Sequence, residues 1–249
     1  MRTSASDSIA EHLLDLAWSL WTELGVAGTQ RRHSQLAIFP EELLLLTSAL
    51  ASRDPRLRDE SVDWCSRHHS YVSTARLRGL LRGAPPWLAA AFSTFAATVN
   101  HLGSARWPVP ASGACWDLQL SQKSRLPSLE RPALLHLRLR ALFGTGARAD
   151  VVAALLERQP GDRKITVSEV AELGYTKRNV ANVLNDLEAA GLLVSHRQGN
   201  RLCFGWARRR EFEATISPLP GQIPPWRPIV ELLLSLFHFT LRTEAKSER

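Results

Sequence analysis

The sequence predicts a mainly α-helical protein that contains one short β-hairpin near residue 200. Three observations support this. Apolar residues recur with helical spacing along most of the chain, breaks rich in Pro, Gly and Ser separate these stretches, and two strand-like runs follow one another once. A chain of 249 residues can bury the cores of two small domains. We therefore expect four regions: an all-helical domain over 1–105, a linker over 106–127, a second domain of helices and hairpin over 128–210, and a proline-rich connector with a final apolar helix over 211–249.

The N-terminal region contains five helix-like stretches. The first runs from Asp7 to about Leu24 and carries a broad apolar stripe. The second, Glu41 to Ser52, is a nearly continuous leucine run opened by Pro40, which indicates deep burial. The remaining three cover 57–68, 74–81 and 87–102. We expect these helices to sense a small-molecule or protein effector, or to brace a dimer.

This region allows two other interpretations. The helices over 57–81 could form a second helix-turn-helix, with Arg76, Arg78 and Arg82 on its last helix, but acidic residues precede it and no hairpin follows. The tryptophans at 18, 21, 64 and 87 could line a ligand pocket, but helical cores use Trp routinely. We favour a packed helical scaffold in both cases.

The second domain begins with two predicted helices. Residues 129–143 form the first, with His136, Arg138 and Arg140 expected on its polar side, and 147–158 form the second. The Gly-Thr-Gly sequence between them precedes a helix, as a phosphate-binding loop does. It lacks the later glycine, the Lys-Ser/Thr pair and a preceding buried strand, so we predict an ordinary loop.

The stretch 166–206 carries the most consistent local signals. Thr166 and Glu169 form a capping box at the start of a short helix, and Gly174 allows the chain to turn after it. Thr176 is an N-cap for a second helix. Its apolar residues share one face, because they lie at i, i+3, i+4 and i+7: Val180, Val183, Leu184 and Leu187. Two strand-like runs, 192–195 and 201–204, follow, and positive φ angles at Gly199 and Asn200 would suit a hairpin turn between them.

The opposite face of the second helix is polar and small. Lys177 and Arg178 lie at its N-terminal end, where they can meet phosphates or base edges, and Asn182 and Asn185 can both donate and accept toward a base. The hairpin turn is flanked by arginines that can reach phosphates or a narrow minor groove. The candidate nucleic-acid contacts are therefore Thr176, Lys177, Arg178, Ala181, Asn182, Asn185, Arg197, Gln198, Asn200 and Arg201. The alternative is that they are ordinary solvated side chains.

The segment VSEVAELGYTKRNVANVLNDLEAAGLL resembles the core of winged helix-turn-helix transcriptional regulators of the bacterial MarR and ArsR groups. The similarity covers roughly Ala147 to Trp206, about a quarter of the chain. It implies that Thr176 to Ala190 is a recognition helix that enters the major groove of double-stranded DNA, while the hairpin is a wing on the backbone or minor groove.

The distribution of charge agrees with a nucleic-acid partner. Residues 128–210 contain 14 Lys and Arg against 8 Asp and Glu, which accounts for +6 of the net charge of +7. Basic side chains gain affinity for the phosphate backbone through counterion release. The alternative is that arginine is abundant throughout because of a high-GC genome.

The sequence offers little evidence for a metal site or for catalysis. Cys65, His68 and His69 have a spacing that could begin a zinc site, but a fourth ligand is not visible nearby, and we expect neither a metal nor a cofactor. The sequence has no nucleophile elbow or HExxH motif, so we do not expect an enzyme. Three widely spaced cysteines, no apparent signal peptide and no apolar run of membrane-spanning length lead us to expect a soluble cytoplasmic protein.

The final helix, predicted over 229–241, is apolar on most faces. Such a helix either packs on the N-terminal helices or pairs with a second copy of itself, and we favour a homodimer because regulators of this outline commonly bind two half-sites. Two rival functions differ from DNA binding. One is a winged-helix adaptor that binds a protein, and the other is a ligand-sensing helical protein without direct DNA contact.

Overall fold

The computed structural model describes residues 5–28, 33–111, 114–158 and 164–247. Within these ranges the chain is mainly helical, which confirms the predicted class, and one small antiparallel sheet accompanies the helices. The helices are α1 Ala5–Glu23, α2 Pro40–Leu50, α3 Pro55–His68, α4 Thr74–Leu81, α5 Pro86–Leu102, α6 Leu135–Phe143, α7 Ala147–Glu157, α8 Val167–Ala171, α9 Lys177–Ala189, α10 Arg209–Thr215 and α11 Trp226–Ser247. The strands are β1 Lys164–Thr166, β2 Leu193–Gln198 and β3 Arg201–Trp206.

Helix α2 lies at the centre of the N-terminal helices. Its leucines at 43–46 are at most 5% exposed, as the leucine run predicted, and α1, α3, α4, α5 and α11 all contact it. Trp21 and Trp64 pack edge to face beside it with ring centroids 5.4 Å apart. Their indole N–H groups donate to the Thr47 hydroxyl and the Leu24 carbonyl, both at 2.8 Å. These two tryptophans are therefore core residues, in agreement with the packing interpretation.

The described part of the predicted linker contains no helix or strand, and it is held against α3 and α5 by polar contacts. The Asn100 side chain pairs with the backbone of Trp107 through bonds of 2.9 and 3.0 Å. Further along, the Thr98 hydroxyl accepts from the Trp116 N–H at 3.0 Å, and the Asp63 carboxylate accepts from the Gln122 N–H at 2.8 Å. These bonds satisfy backbone groups that an extended segment cannot pair by itself.

The sheet contains one more strand than the sequence predicted. Its order is β1-β3-β2, and both pairs are antiparallel. The missed strand β1 has three residues, which is too few to show an alternating pattern. The hairpin strands extend further toward the turn than predicted, so that Gln198 pairs with Arg201 across a two-residue turn. Gly199 has a φ of +60° there, whereas Asn200 does not adopt the positive φ that we expected.

Helix α11 packs one face on α1 and α2. Val230, Leu234 and Phe237 are buried on that face. The connector before it is also anchored, because the Trp226 indole donates to the Ala37 carbonyl at 2.6 Å and the Ala37 N–H donates to the Gln222 carbonyl at 2.9 Å. Within the described ranges, no helix is both long and apolar enough to cross a membrane.

Candidate nucleic-acid interface

The two helices of the predicted motif begin where the sequence placed their caps. The Glu169 backbone N–H donates to the Thr166 hydroxyl at 3.3 Å, and the Glu169 carboxylate accepts from the Thr166 backbone N–H at 2.7 Å, which completes the capping box of α8. The Thr176 hydroxyl accepts from the Asn179 N–H at 3.2 Å and caps α9. Both predicted caps are confirmed, and they fix where each helix starts.

The turn between α8 and α9 depends on two glycines. Gly174 has a φ of +109°, a conformation that side chains disfavour. A Cβ on Gly174 would lie 2.3 Å from the Ala75 carbonyl oxygen, and a Cβ on Gly79 would lie 2.6 Å from the Gly174 Cα. Helix α4 and the turn therefore touch backbone to backbone, which couples the N-terminal helices to the start of α9.

Helix α9 has a buried face and an exposed face. Val180, Val183, Leu184 and Leu187 are all buried, as predicted, and α9 contacts α7, α8 and β2. On the other side, the side chains proposed to contact nucleic acid are exposed, except that Ala181 is half-buried: Thr176, Lys177, Arg178, Asn182 and Asn185. The helix therefore presents a polar surface on a firmly packed support.

The basic side chains of this surface lack internal partners. Among the described residues, Lys177 and Arg178 form no ion pair. The two acidic residues that border the face are engaged elsewhere. Asp186 pairs with Arg148 at 2.9 Å, and Glu188 accepts from the Ser195 N–H at 2.8 Å, a bond that lowers the pKa of Glu188. The front of α9 therefore carries two unpaired cations, with the ionised Glu188 at its border.

The hairpin places its two candidate arginines on opposite faces. Cross-strand partners share a face and successive residues alternate, so Arg197 lies with Leu202, Phe204 and Leu193, on the side that is buried against the helices. Arg201 lies with Gln198 on the other side. Arg197, Gln198, Asn200 and Arg201 are all exposed. The sequence did not distinguish the two arginines.

The basic excess of the segment 128–210 is smaller at the surface than the sequence indicated. Arg138 is 9% exposed and Arg140 is 3% exposed, so the prediction that they lie on a polar helix face is wrong, as it is for the fully buried His136. Arg138 instead donates to four backbone carbonyls, among them Leu129 at 2.7 Å and Pro218 at 3.1 Å. Arg138 and Arg140 therefore bind groups inside the protein and do not add to a phosphate-binding surface.

Beneath the turn lies a buried ion cluster, defined here as Glu41, Glu42, Arg76, Arg140 and Asp150. Arg140 contacts Glu41 at 2.6 Å and Asp150 at 3.3 Å. Arg76 contacts Glu42 at 2.5 Å and Asp150 at 3.8 Å. No side chain in the cluster is more than 4% exposed. Arg76 is therefore unavailable to a second DNA-binding motif, which rules out the role considered for it from sequence.

Tyr175 connects this cluster to the turn. Its hydroxyl donates to the Asp150 carboxylate at 2.6 Å and lies 3.0 Å from the Ser73 hydroxyl. Burial, together with the charge of Asp150, raises the pKa of Tyr175 well above its usual range, so the hydroxyl stays protonated and keeps donating. Because Tyr175 immediately precedes the N-cap of α9, the cluster orients the start of that helix.

The protonation states inside the cluster follow from burial and mutual attraction. Burial lowers the pKa of the adjacent His136 to about 4, and the charge of Arg140 acts in the same direction. A neutral His136 donates from Nε2 to Asp150 at 2.7 Å. Burial opposes ionisation of Asp150, but Arg140, His136 and Arg76 outweigh it and hold the pKa of Asp150 far below its usual range. Burial raises the pKa of Glu42 despite its contact with Arg76.

A sequence signal for this cluster did exist. Glu41 and Glu42 open a helix that is otherwise almost entirely apolar, and charges in such a helix require buried partners. Their partners lie 34 and 99 positions away, so the pairing itself could not be predicted. No group of three His, Cys, Asp or Glu side chains in the described ranges is arranged to hold a metal ion. Cys65 is fully buried, and burial raises the pKa of its thiol.

Comparisons with models of protein families, with curated proteins and with solved structures find no match to this chain.

Proposed function

We propose that the protein is a cytoplasmic transcriptional regulator of the winged helix-turn-helix type that binds double-stranded DNA in a sequence-specific manner. In this proposal α9 is the recognition helix in the major groove, and the β2-β3 hairpin is the wing on the backbone or minor groove. The regulator acts by binding and needs neither catalysis nor a cofactor.

The observation that carries the proposal is the exposed face of α9. Lys177, Arg178, Asn182 and Asn185 are exposed there, the two cations have no partner among the described residues, and the neighbouring acids are occupied. Arg and Asn can form bidentate hydrogen bonds to guanine and adenine edges, respectively. The capped N-terminus at Thr176 adds a positive helix dipole that favours a phosphate.

The order of elements supports the same assignment. Helix α7, strand β1, helices α8 and α9 and the β2-β3 hairpin follow one another, and β3 lies between β1 and β2 in the sheet. This arrangement suits the winged type that the sequence resembles. The N-terminal helices over 1–105, the segment 106–127 and the region 211–249 would then hold and regulate the DNA-binding domain over 128–210.

A homodimer is part of the proposal. Helix α11 exposes Leu232 at 69%, Leu236 at 47% and Phe239 at 66%. These three residues lie at i, i+4 and i+7 and so form one apolar stripe on the side away from α1 and α2. A second copy that covers this stripe would place two recognition helices on two half-sites of one operator.

The decisive experiment is selection of bound fragments from genomic DNA, followed by fluorescence anisotropy on the selected site and on random duplex. Arg178→Ala and Asn182→Ala should each weaken the selected site by about 5- to 150-fold, from the roughly 1–3 kcal/mol that one bidentate contact contributes, and random duplex much less. Arg106→Ala, which removes an exposed arginine in the segment after α5, is the matched control. Equal losses on both duplexes would contradict base recognition by α9.

One observation favours the adaptor as a second candidate. The hairpin exposes Val194 at 49% and Leu202 at 44%, and apolar side chains there suit a protein partner better than phosphate. An adaptor predicts that the protein retains no genomic fragment and that binding to duplex DNA does not depend on salt.

A further inference from the structure

A cavity of about 770 Å³ lies between α2, the α4-α5 turn and α11. Its volume falls in the range of about 300–1,000 Å³ that is typical of sites for small organic molecules. The walls are mainly aliphatic and include Leu45, Leu88 and Leu234. One part of the wall is aromatic, because Trp87 and His238 both line the cavity, where their rings stack at 4.6 Å with an angle of 7° between their planes. The cavity thus suits a molecule with an apolar, planar body.

The charges around the cavity favour a negative head group. Four charged residues line it, and three of them have partners: Glu42 is bound to Arg76, and Arg227 is bound to Glu231 at 3.0 Å. The fourth, Arg242, is exposed and forms no ion pair among the described residues. A bound anion would pair with Arg242 and compete with Glu231 for Arg227.

The same cavity touches the proposed DNA-binding domain at two points. The Arg227 guanidinium also donates to the Glu172 carbonyl at 2.8 Å, and Glu172 is the C-cap of α8. On the other side, Leu80 lines the cavity and directly follows Gly79, whose backbone touches Gly174 in the turn. Any molecule that displaces Arg227 or α4 therefore acts on the residues that set the start of α9.

We propose that this cavity is a regulatory site for a small organic anion with an apolar planar body, and that its occupation draws Arg227 from Glu172 and weakens DNA binding by α9. The regulatory consequence rests on the proposed DNA-binding function, while the binding site stands by itself. A ligand shifts such an equilibrium only through unequal affinity for the two states, and the competition for Arg227 supplies that inequality.

The binding site is tested with two dyes that share their rings. Anilinonaphthalene sulfonate carries the negative charge, N-phenyl-1-naphthylamine does not, and both fluoresce more strongly in apolar surroundings. Ser235→Trp fills the cavity from its exposed rim and should weaken both dyes at least tenfold, whereas Ala90→Trp, at an exposed position of α5 that does not line the cavity, should not. Arg242→Glu should weaken only the sulfonate, by about tenfold, whereas Arg106→Glu, with the same change of charge, should not.

Equal binding of both dyes to wild-type protein, or equal losses in the cavity variant and its control, would overturn the binding site. Dye affinity that falls as the protein dimerises, measured by sedimentation at several concentrations, would instead assign the cavity to a second copy of the chain and also overturn it.

The regulatory consequence has a readout that needs no DNA. The sulfonate should accelerate amide hydrogen exchange over 172–176 in wild-type protein and not in Ser235→Trp. It should also lower affinity for the selected duplex by about 5- to 150-fold, the usual range of coupling between two sites. Faster exchange without any DNA binding would leave the site intact and contradict the proposed function. Unchanged exchange and unchanged DNA affinity despite bound dye would overturn the regulation alone.

Discussion

Two groups of polar side chains lie on either side of the turn before α9, and they differ in whether their charges are paired. In the buried ion cluster, each of the five side chains contacts an opposite charge and is at most 4% exposed. On the front of α9, Lys177 and Arg178 are exposed and have no such partner in the described structure. The same residue types therefore hold the fold together in one place and remain available to a ligand in the other.

This difference indicates how the proposed interface is supported. A recognition surface discriminates between ligands only if its side chains are held in position by rigid elements behind them. Here Tyr175 and Gly174 connect the front of α9 to a cluster whose members come from α2, α4, α6 and α7. Under the proposed function, the cluster contributes to recognition by fixing the position of α9, without contact to the DNA.

The largest effect is expected from removing one cation of the buried cluster. Arg140→Met leaves Glu41 and Asp150 short of a buried partner, and breaking such a pair costs about 3–5 kcal/mol of unfolding free energy. Urea denaturation followed by circular dichroism measures this. The exposed pair of Arg148 and Asp186 provides the matched control, because Arg148→Met should cost at most about 1 kcal/mol. Similar losses in the two variants would mean that burial does not distinguish the pairs.

The next effect is a dependence of stability on pH that originates at His136. Its pKa is about 4 in the folded protein, below its ordinary value of 6.5, so the unfolded chain binds a proton in this window that the folded chain does not. Stability should therefore fall as the pH falls from about 6.5 to 4, by up to roughly 1.4 kcal/mol per pH unit and about 3 kcal/mol in total.

Denaturation at several pH values in wild-type protein and in His136→Gln checks this prediction. The variant should lose less stability across the window, because it has no proton to gain at this position. The raised pKa of Glu42 acts in the opposite direction above its ordinary value of 4.5, and the lowered pKa of His68 acts in the same direction as that of His136. Both are common to the two proteins, so the difference between them isolates His136. Parallel curves would show that His136 is charged in the folded state.

Local features of the proposed site were predictable from sequence because they depend on near neighbours. The caps at Thr166 and Thr176, the glycine turn and the apolar face of α9 all follow from spacings of a few residues, and the structure places each where expected. The hairpin was predicted too, although its strands are longer and β1 was missed.

Features that depend on distant partners were not predictable. Arg140 and Arg178 were both predicted to lie on the polar side of a helix, yet the first is 3% exposed and the second lies at the surface. What separates them is the carboxylate of Glu41, which lies 99 residues before Arg140 at the start of the otherwise apolar helix α2. The periodicity of α6 gave Arg140 a polar face, and only its contacts with Glu41 of α2 and Asp150 of α7 show that this face is internal. Charge counts over a segment carry the same error, because they include cations that are never exposed.

A smaller effect on stability is expected at Tyr175, which joins the two groups. Tyr175→Phe keeps the ring and removes the hydroxyl that donates to Asp150, a bond to a charged group that contributes about 1.5–3 kcal/mol. The chain has one other tyrosine, Tyr71, whose hydroxyl has no hydrogen-bond partner among the described residues, so Tyr71→Phe is the control and should change stability little. Urea denaturation of both variants, with hydrogen exchange over 172–178, compares them. If Tyr175→Phe is as stable as the wild type and its hydrogen exchange is unchanged, the buried ion cluster does not hold the turn in place.

The smallest effect concerns the two arginines of the hairpin, and it tests whether the exposed group itself is uniform. Arg197 lies on the sheet face that contacts the helices, and Arg201 lies on the other. If DNA lies against the front of α9, Arg197 is the better placed to reach a phosphate, and Arg197→Ala should flatten the dependence of log K on log salt by about 0.9, the value for one phosphate contact. Arg201→Ala should flatten it less. Equal flattening in both variants would mean that the hairpin inserts into a groove by its edge, with DNA on both of its faces. An unchanged slope in both variants would place the hairpin away from the duplex.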